Sequence, residues 1–138
     1  MTSKAALTFG PVSNSIELFK EIADAVQVYL DMLYTCNPEL VTAIFHDRAQ
    51  LCTIENEAPL FRTVEEYREV VRARISPESL GAEREEHVVT IDLSSPTQAM
   101  IKVQMRVNQS VFSDYLTMFK LGKEWRIVAK TYYRVELS

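Results

Sequence analysis

The side chains best suited to chemistry are a tyrosine, a histidine followed by an aspartate, and an aspartate in an apolar stretch. These are Tyr29, His46, Asp47 and Asp114. Histidine is the usual general acid or base near neutral pH, and a tyrosine in an apolar pocket can donate a hydrogen bond to a ligand carbonyl. Neighbours in sequence rarely face each other, so His46 and Asp47 do not form a catalytic pair by themselves.

Asp114 lies in the mostly apolar segment VFSDYLTMF, which is predicted to be a strand. Period-two alternation places it on the same strand face as three apolar residues, Phe112, Leu116 and Met118. A carboxylate among apolar side chains is paired with a cation, has a raised pKa or lies at the solvated edge of the core. We expect a structural ion pair with Lys130 or Arg126 on the following strand, depending on the register that the Gly122 turn sets.

The first half of the chain carries the pattern of three helices. Apolar residues recur every three or four positions between residues 16 and 33, which predicts an amphipathic helix. Asn37 and Pro38 form the cap and first turn of a second, short helix. Thr63 and Glu66 have capping-box spacing and predict a third helix to about residue 74. Residues 1–13 read as a flexible arm, and residues 14–138 as a single domain.

The second half changes to a period of two. After a strand predicted at residues 49–54 and a polar loop at 76–86, alternating segments from Val88 onward are separated by turns at 94–97, 108–110 and 122–123. Helices followed by a meander of three or four strands predict an α+β fold, with the helices packed on one face of a curved antiparallel sheet.

Composition excludes several classes of function. The 138 residues carry a net charge of −4 and no dense cluster of Lys and Arg, so we predict no nucleic-acid partner. No segment is apolar for long enough to span a membrane, and the first residues lack a signal-peptide core. Cys36 and Cys52 have no metal-ligand spacing with either histidine. The sequence allows a disulfide between them but gives no support for it. We predict no metal, no cofactor and a reducing, cytoplasmic location.

Three segments carry a resemblance to a known family: YLDMLYTCNPELVTAIFHDRAQL, RISPESLGAER and FSDYLTMFKLGKEWRIVAKTYY. Together with the element order, they make residues 16–136 similar to the nuclear transport factor 2-like superfamily and its lumazine-binding-like branch. The resemblance implies a cone-shaped sheet of cystatin-like type, a deep apolar pocket between helices and sheet, and frequent dimerisation through the outer face of the sheet. The superfamily includes isomerases, dehydratases and non-catalytic binding domains, so fold alone does not choose between them.

Aligned with the steroid isomerases of this superfamily, Tyr29 takes the place of their catalytic tyrosine. Thr53 then occupies the position of their carboxylate base, and Thr117 lies near their second acid. A threonine hydroxyl is too weakly basic to abstract a carbon-bound proton, so the resemblance does not extend to that activity. The alignment predicts a ligand pocket lined by Tyr29, Leu33, Phe45, Thr53, Tyr67, Tyr115, Thr117 and Phe119.

These residues leave three functions open. The leading one is a domain that binds a small hydrophobic or cyclic ligand in an aromatic pocket without catalysis. The alternative is a lyase or isomerase for a cyclic carbonyl compound, with His46 as acid or base, Tyr29 as hydrogen-bond donor, and Asp114 or Glu55 assisting. His46 can equally be a structural residue that complements the dipole at the end of the second helix.

The third possibility is a dimeric interaction scaffold. Both faces of the strand at residues 111–121 carry apolar side chains, and a sheet that is apolar on both faces needs a second cover. A homodimer is the simplest cover. With Thr117 directed to the pocket, the opposite face forms the predicted dimer interface, consisting of Phe112, Asp114, Leu116 and Met118.

Overall fold

The computed structural model describes residues 15–138. The helices are α1 (Ser15–Thr35), α2 (Pro38–Ile44) and α3 (Val64–Ala73), with a short 3-10 helix at Glu78–Leu80. The strands are β1 (Phe45–Glu55), β2 (Ala58–Thr63), β3 (Glu86–Ser95), β4 (Gln98–Val107), β5 (Ser110–Leu121) and β6 (Glu124–Glu136). The helices pack against a curved sheet, which confirms the predicted α+β class. The predicted arm at residues 1–13 lies outside the described residues.

Both predicted helix caps are present. The Asn37 side chain accepts a hydrogen bond from the backbone N–H of Glu39 at 3.0 Å, with Pro38 in the first turn of α2. In α3, the Thr63 hydroxyl accepts from the Glu66 N–H at 3.1 Å, and the Glu66 carboxylate accepts from the Thr63 N–H at 2.9 Å. These caps fix where α2 and α3 begin, and hence which of their side chains face the sheet.

The sheet has six strands in the order β2-β1-β6-β5-β4-β3. Strands β3 to β6 form the predicted antiparallel meander, but β1 runs parallel to β6, so the sheet is mixed rather than wholly antiparallel. Strand β2 was not predicted. It is joined to β1 through Asn56 and Glu57, whose φ angles of 51° and 63° are those of a tight hairpin turn. Without a glycine at either position, the turn has a weak sequence signal.

Strand β5 presents the opposite faces from those predicted. The alternate residues from Phe112 to Met118 are buried against the helices, with Asp114 only 1% exposed, whereas Tyr115 is 44% exposed on the other face. The predicted dimer interface of Phe112, Asp114, Leu116 and Met118 is therefore wrong, because these residues belong to the core of the chain itself. The alignment directed Thr117 to the pocket, whereas its neighbours Leu116 and Met118 are the buried residues, and a shift of one residue in a strand exchanges its two faces.

Strand β1 begins directly after α2, at Phe45. His46 therefore lies on a strand, two residues after the end of α2, and its dipole role stays a prediction. Cys36 and Cys52 are both free thiols. Within residues 15–138, no helix has the length and apolar character needed to cross a membrane.

Candidate functional site

A buried ion pair lies between the sheet and α1. The hydroxyl of Tyr29 on α1 donates a hydrogen bond to Oδ2 of Asp114 on β5, and Nζ of Lys130 on β6 lies 3.7 Å from the same oxygen. All three residues are almost fully buried, at 0%, 1% and 3% exposure. The pairing of β5 with β6 sets Leu116 opposite Lys130, so Lys130 lies diagonally across from Asp114 on the same face. The predicted pairing of Asp114 with Lys130 is confirmed.

Aromatic rings surround the Lys130 ammonium. Its Nζ donates a hydrogen bond to the Tyr67 hydroxyl on α3 at 3.2 Å. The same atom lies 5.2 Å, 4.5 Å and 5.0 Å from the ring centroids of Tyr29, Tyr67 and Tyr132. Desolvated cations gain appreciable attraction from aromatic faces at such distances. The rings therefore help to keep a charged ammonium in an interior where a bare charge would be unfavourable.

Burial and neighbouring groups together determine the protonation of this cluster. Desolvation raises the pKa of Tyr29 well above its ordinary value, and the negative charge of Asp114 raises it further. Burial by itself lowers the pKa of Lys130, but Tyr67 and Asp114 outweigh that effect and the net shift is upward. At neutral pH, Tyr29 is therefore a neutral hydrogen-bond donor and Lys130 is a cation.

A cavity of about 90 Å³ opens beside this ion pair, and we call it the Lys130 cavity. Side chains from both longer helices and from four strands line it: Leu33, Glu55, Arg62, Tyr67, Val70, Arg74, Phe112, Asp114, Lys130, Tyr132 and Arg134. Within residues 15–138, Oδ1 of Asp114 and Nη1 of Arg74 are buried without a hydrogen-bond partner. A carboxylate and a guanidinium group that each have an atom without a hydrogen-bond partner thus belong to the same cavity lining.

Other cations of the lining are already engaged. Nη1 of Arg62 donates to the Tyr132 hydroxyl at 3.0 Å. Arg134 lies 3.9 Å from Glu55 and 3.5 Å from Glu136. The lining is accordingly more polar and more basic than the deep apolar pocket that the family resemblance implied. Its small volume also does not enclose a whole cyclic ligand of the predicted kind, since about 150 Å³ is needed to hold benzene.

His46 lies at a second site, which we call the His46 cavity. This open depression of about 400 Å³ is lined by Thr42, Phe45, His46, Asp47, Thr63, Val64, Glu65, Arg68 and Arg126. Nδ1 of His46 accepts a hydrogen bond from the Arg48 N–H at 3.1 Å and lies 3.2 Å from the Asp47 carboxylate, and the side chain is 37% exposed. Tyr29 is not part of this lining. The structure therefore does not bring His46 and Tyr29 together, as the proposed catalytic pair requires.

The structure places the predicted pocket residues in several different positions. Leu33 and Tyr67 line the Lys130 cavity, and Tyr29 adjoins it through Asp114. Phe45 packs edge-on between Tyr29 and Tyr67, with ring centroids 6.1 Å and 5.6 Å away. Thr53 is buried on the same side of the sheet, but its hydroxyl donates to the carbonyl oxygen of Tyr132 at 2.6 Å and is not free for a ligand.

The remaining predicted pocket residues, Tyr115, Thr117 and Phe119, lie on the outer face of β5, so their assignment to the pocket is wrong. The sequence interpretation also missed three arginines of the lining, Arg62, Arg74 and Arg134. A signal for one of them existed: Lys130, Tyr132 and Arg134 alternate along β6 and so share a face. Arg62 was not identified because β2 was not predicted, and Arg74 was not placed in the pocket because the glutamates after it in the sequence indicate a solvated, salt-bridged surface.

The sequence of this chain matches the model of a known protein family. A family model described as "Putative lumazine-binding" matches residues 17–133, which is most of the chain. The chain belongs to this family. The lumazine-binding-like assignment from the sequence is thereby confirmed. No curated protein matches the sequence significantly.

Solved structures of the nuclear transport factor 2-like fold share the architecture of this lumazine-binding-like domain. An NTF-2 like protein of unknown function from Silicibacter pomeroyi is 17% identical with a TM-score of 0.79, over 88% of this chain and 98% of that one. One from Methylobacillus flagellatus is 21% identical with a TM-score of 0.74, over 91% and 98%. A cystatin-like fold protein from Burkholderia xenovorans is 16% identical with a TM-score of 0.68, over 91% and 97%. At these identities, the likeness shows the fold alone.

Proposed function

We propose that this protein is a small-molecule-binding domain and that the Lys130 cavity is its binding site. The observation that carries the proposal is the buried Oδ1 of Asp114, which has no partner among residues 15–138 and lines a cavity. A buried polar atom without a partner costs about 1–3 kcal/mol of stability. A ligand that donates a hydrogen bond to this oxygen recovers that free energy on binding.

The ion pair itself supports a binding role over a purely structural one. Burying two charges is expensive, and well-packed apolar residues of similar size often give equal or greater stability. Core stability alone therefore does not account for Asp114 and Lys130 at 1% and 3% exposure. A preorganised pair of charges, held by Tyr29 and Tyr67, is well suited to orient a polar ligand without rearrangement.

Catalysis as a lyase or isomerase has less support. That function needs a base beside the tyrosine, but His46 lines a separate cavity and the Thr53 hydroxyl is bonded to a backbone carbonyl. The carboxylate nearest Tyr29, that of Asp114, is itself paired with Lys130. We therefore propose binding without catalysis.

Ligand-observed NMR with a library of neutral and charged fragments tests the binding function. Val70 lines the cavity, so Val70→Phe should fill part of it and abolish the signals of site-specific ligands. Val88→Phe is a matched control, because Val88 lies on β3, outside the lining of the cavity, and is 41% exposed. Fragments that bind the wild type and Val88→Phe but not Val70→Phe support the proposal. An absence of such fragments contradicts it.

We also propose that the chain forms a homodimer through the outer face of the sheet. That face carries exposed apolar side chains from several strands, including Phe61, Met100, Tyr115 and Tyr133. Large exposed apolar side chains that share one face of a sheet favour an interaction site there. Light scattering after size exclusion should give twice the chain mass for the wild type and the chain mass for Tyr115→Lys. Ile16→Lys, on the exposed side of α1, should remain dimeric; a monomeric wild type contradicts the proposal.

The location is a further proposal, namely a reducing, cytoplasmic-type compartment. Two free thiols, Cys36 and Cys52, are compatible with such surroundings. Fractionation of the source cells tests it, and recovery outside the cytoplasmic fraction contradicts it.

A further inference from the structure

Two unpartnered groups of opposite kind line the Lys130 cavity. Nη1 of Arg74 is a cationic donor, and Oδ1 of Asp114 is an acceptor; within residues 15–138 both are buried without a hydrogen-bond partner. The Lys130 ammonium has spare capacity as well, since it has three protons and donates a hydrogen bond only to Tyr67 among these residues. A matching ligand therefore presents an acceptor to the two cations and a donor to the carboxylate.

The charge of the lining decides which acceptor fits. Four cations, Arg62, Arg74, Lys130 and Arg134, face two carboxylates, Glu55 and Asp114. The excess of positive charge favours an anion over a neutral ligand. It disfavours an amino acid, whose ammonium group would be brought close to the Lys130 and Arg74 charges. A carboxylate also matches the planar fork of an arginine, which binds it through two parallel hydrogen bonds.

Size restricts the ligand further. The cavity of about 90 Å³ is smaller than the ~150 Å³ apolar cavity that holds benzene, a ring of six heavy atoms. By the same ratio it encloses about four heavy atoms, so a molecule of five extends into the opening of the cavity. In so small a molecule, the hydrogen-bond donor that Asp114 requires lies on the carbon next to the carboxylate.

We propose that the Lys130 cavity binds small hydroxy carboxylic acids, of the size of glycolate. Arg74 and Lys130 hold the carboxylate, and the ligand hydroxyl donates to Oδ1 of Asp114. The inference rests on the proposed binding function and names its ligand class. Arg74, Asp114 and Lys130 all belong to the lining of this one cavity.

Isothermal titration calorimetry with three probes tests the ligand class. Glycolate carries both features, acetate lacks the hydroxyl, and glycolamide replaces the carboxylate by a neutral amide. We expect glycolate to bind at least about tenfold more tightly than acetate or glycolamide, because a hydrogen bond to a charged group is worth enough for that factor.

Substitutions test whether glycolate binds in the Lys130 cavity. Arg74→Met keeps the length of the side chain and removes its charge, so we expect glycolate affinity to fall at least about tenfold. Arg72→Met is the matched control, because Arg72 lies on α3 two residues before Arg74, is exposed and pairs with Glu69 at 3.4 Å outside the cavity. It should bind glycolate like the wild type.

Five results overturn the inference. Glycolamide binding as tightly as glycolate would show that charge is not recognised, and acetate binding as tightly would remove the role of Asp114. Glycolate binding that Arg74→Met leaves intact would place the anion elsewhere on the surface. If glycolate fails to bind while neutral fragments still bind in a manner sensitive to Val70→Phe, the ligand class is wrong and the binding function stands. If no probe or fragment binds, both proposals fail.

Discussion

The Lys130 cavity and the His46 cavity both combine basic and acidic side chains, but they hold their charges differently. The first has a volume of about 90 Å³, with Asp114 and Lys130 at 1% and 3% exposure. The second has a volume of about 400 Å³, and its histidine is 37% exposed. Charges in the first cavity are removed from water and depend on each other, whereas those in the second remain hydrated. Volume alone would favour the second as a binding site.

Unsatisfied polar atoms distinguish the two cavities better than volume does. In the His46 cavity, Nε of Arg68 lacks a partner in the described part of the chain, but its terminal nitrogens bind Thr42 and Glu65, each at 3.1 Å. In the Lys130 cavity, Arg74 and Asp114 each leave a terminal atom without a partner. Two charged side chains of one cavity lining thus have unsatisfied terminal atoms, so the smaller cavity is the better candidate. Changes in its ion pair should accordingly have larger consequences than changes around His46.

Asp114→Ala should have the largest effect. It leaves the Lys130 ammonium buried without its counter-charge, and breaking a buried pair in this way costs about 3–5 kcal/mol. Urea unfolding at pH 7 measures the loss. The double variant Asp114→Leu with Lys130→Met removes both charges and should recover most of that stability. Equal losses in the single and double variants would show that the charges are not coupled.

Tyr29→Phe should have an intermediate effect. It removes the hydroxyl that donates to Asp114 but leaves the packing of the ring against Phe45. The carboxylate then loses a buried hydrogen bond, for which about 1–3 kcal/mol is typical. The same unfolding experiment measures it, with Tyr34→Phe as a control, because the Tyr34 hydroxyl donates only to the half-buried carbonyl of Ala82. A smaller loss of stability for Tyr29→Phe than for Tyr34→Phe would show that the hydrogen bond from Tyr29 to Asp114 contributes little.

Alkaline pH should weaken the protein through the same cluster. The folded state raises the pKa of Tyr29 above its ordinary 10.0 and that of Lys130 above 10.5. Above those values, the unfolded chain releases protons that the folded chain retains, so the free energy of unfolding falls as pH rises. Below about pH 9, neither group contributes a slope. Unfolding measured from pH 8 to 11 should show the fall, and it should be shallower in Tyr29→Phe. If the free energy of unfolding falls equally steeply with pH in Tyr29→Phe, the raised pKa of Tyr29 is not a cause of the fall.

The sequence predicts most of the fold because its signals are local. Caps at Asn37 and Thr63 and the alternation from residue 88 onward each depend on a few neighbouring residues, and each is confirmed. The hairpin at Asn56 and Glu57 was missed because positive φ angles there are adopted without glycine. The parallel pairing of β1 with β6 joins distant segments and leaves no local pattern.

The site was harder to predict because it depends on strand register. Asp114 and its partner Lys130 were identified, yet they were assigned to the wrong face, since a shift of one residue exchanges inside and outside. The stretch itself carried a correction: Phe112, Leu116 and Met118 form a more apolar set than Ser113, Tyr115 and Thr117. The more apolar set of a strand is the one that faces the core. His46 and Asp47 are adjacent in sequence and lie 3.2 Å apart, but they line the other cavity and do not meet Tyr29.

His46→Ala should have the smallest effect and thereby sharpen the contrast between the cavities. The side chain is 37% exposed, and its hydrogen-bond partner is the N–H of Arg48, which water can satisfy. Exposed substitutions of this kind usually change stability by less than about 0.5 kcal/mol. Fragment and glycolate binding should also be unchanged, since His46 does not line the Lys130 cavity. Loss of glycolate binding in His46→Ala would connect the two cavities and remove the distinction drawn between them.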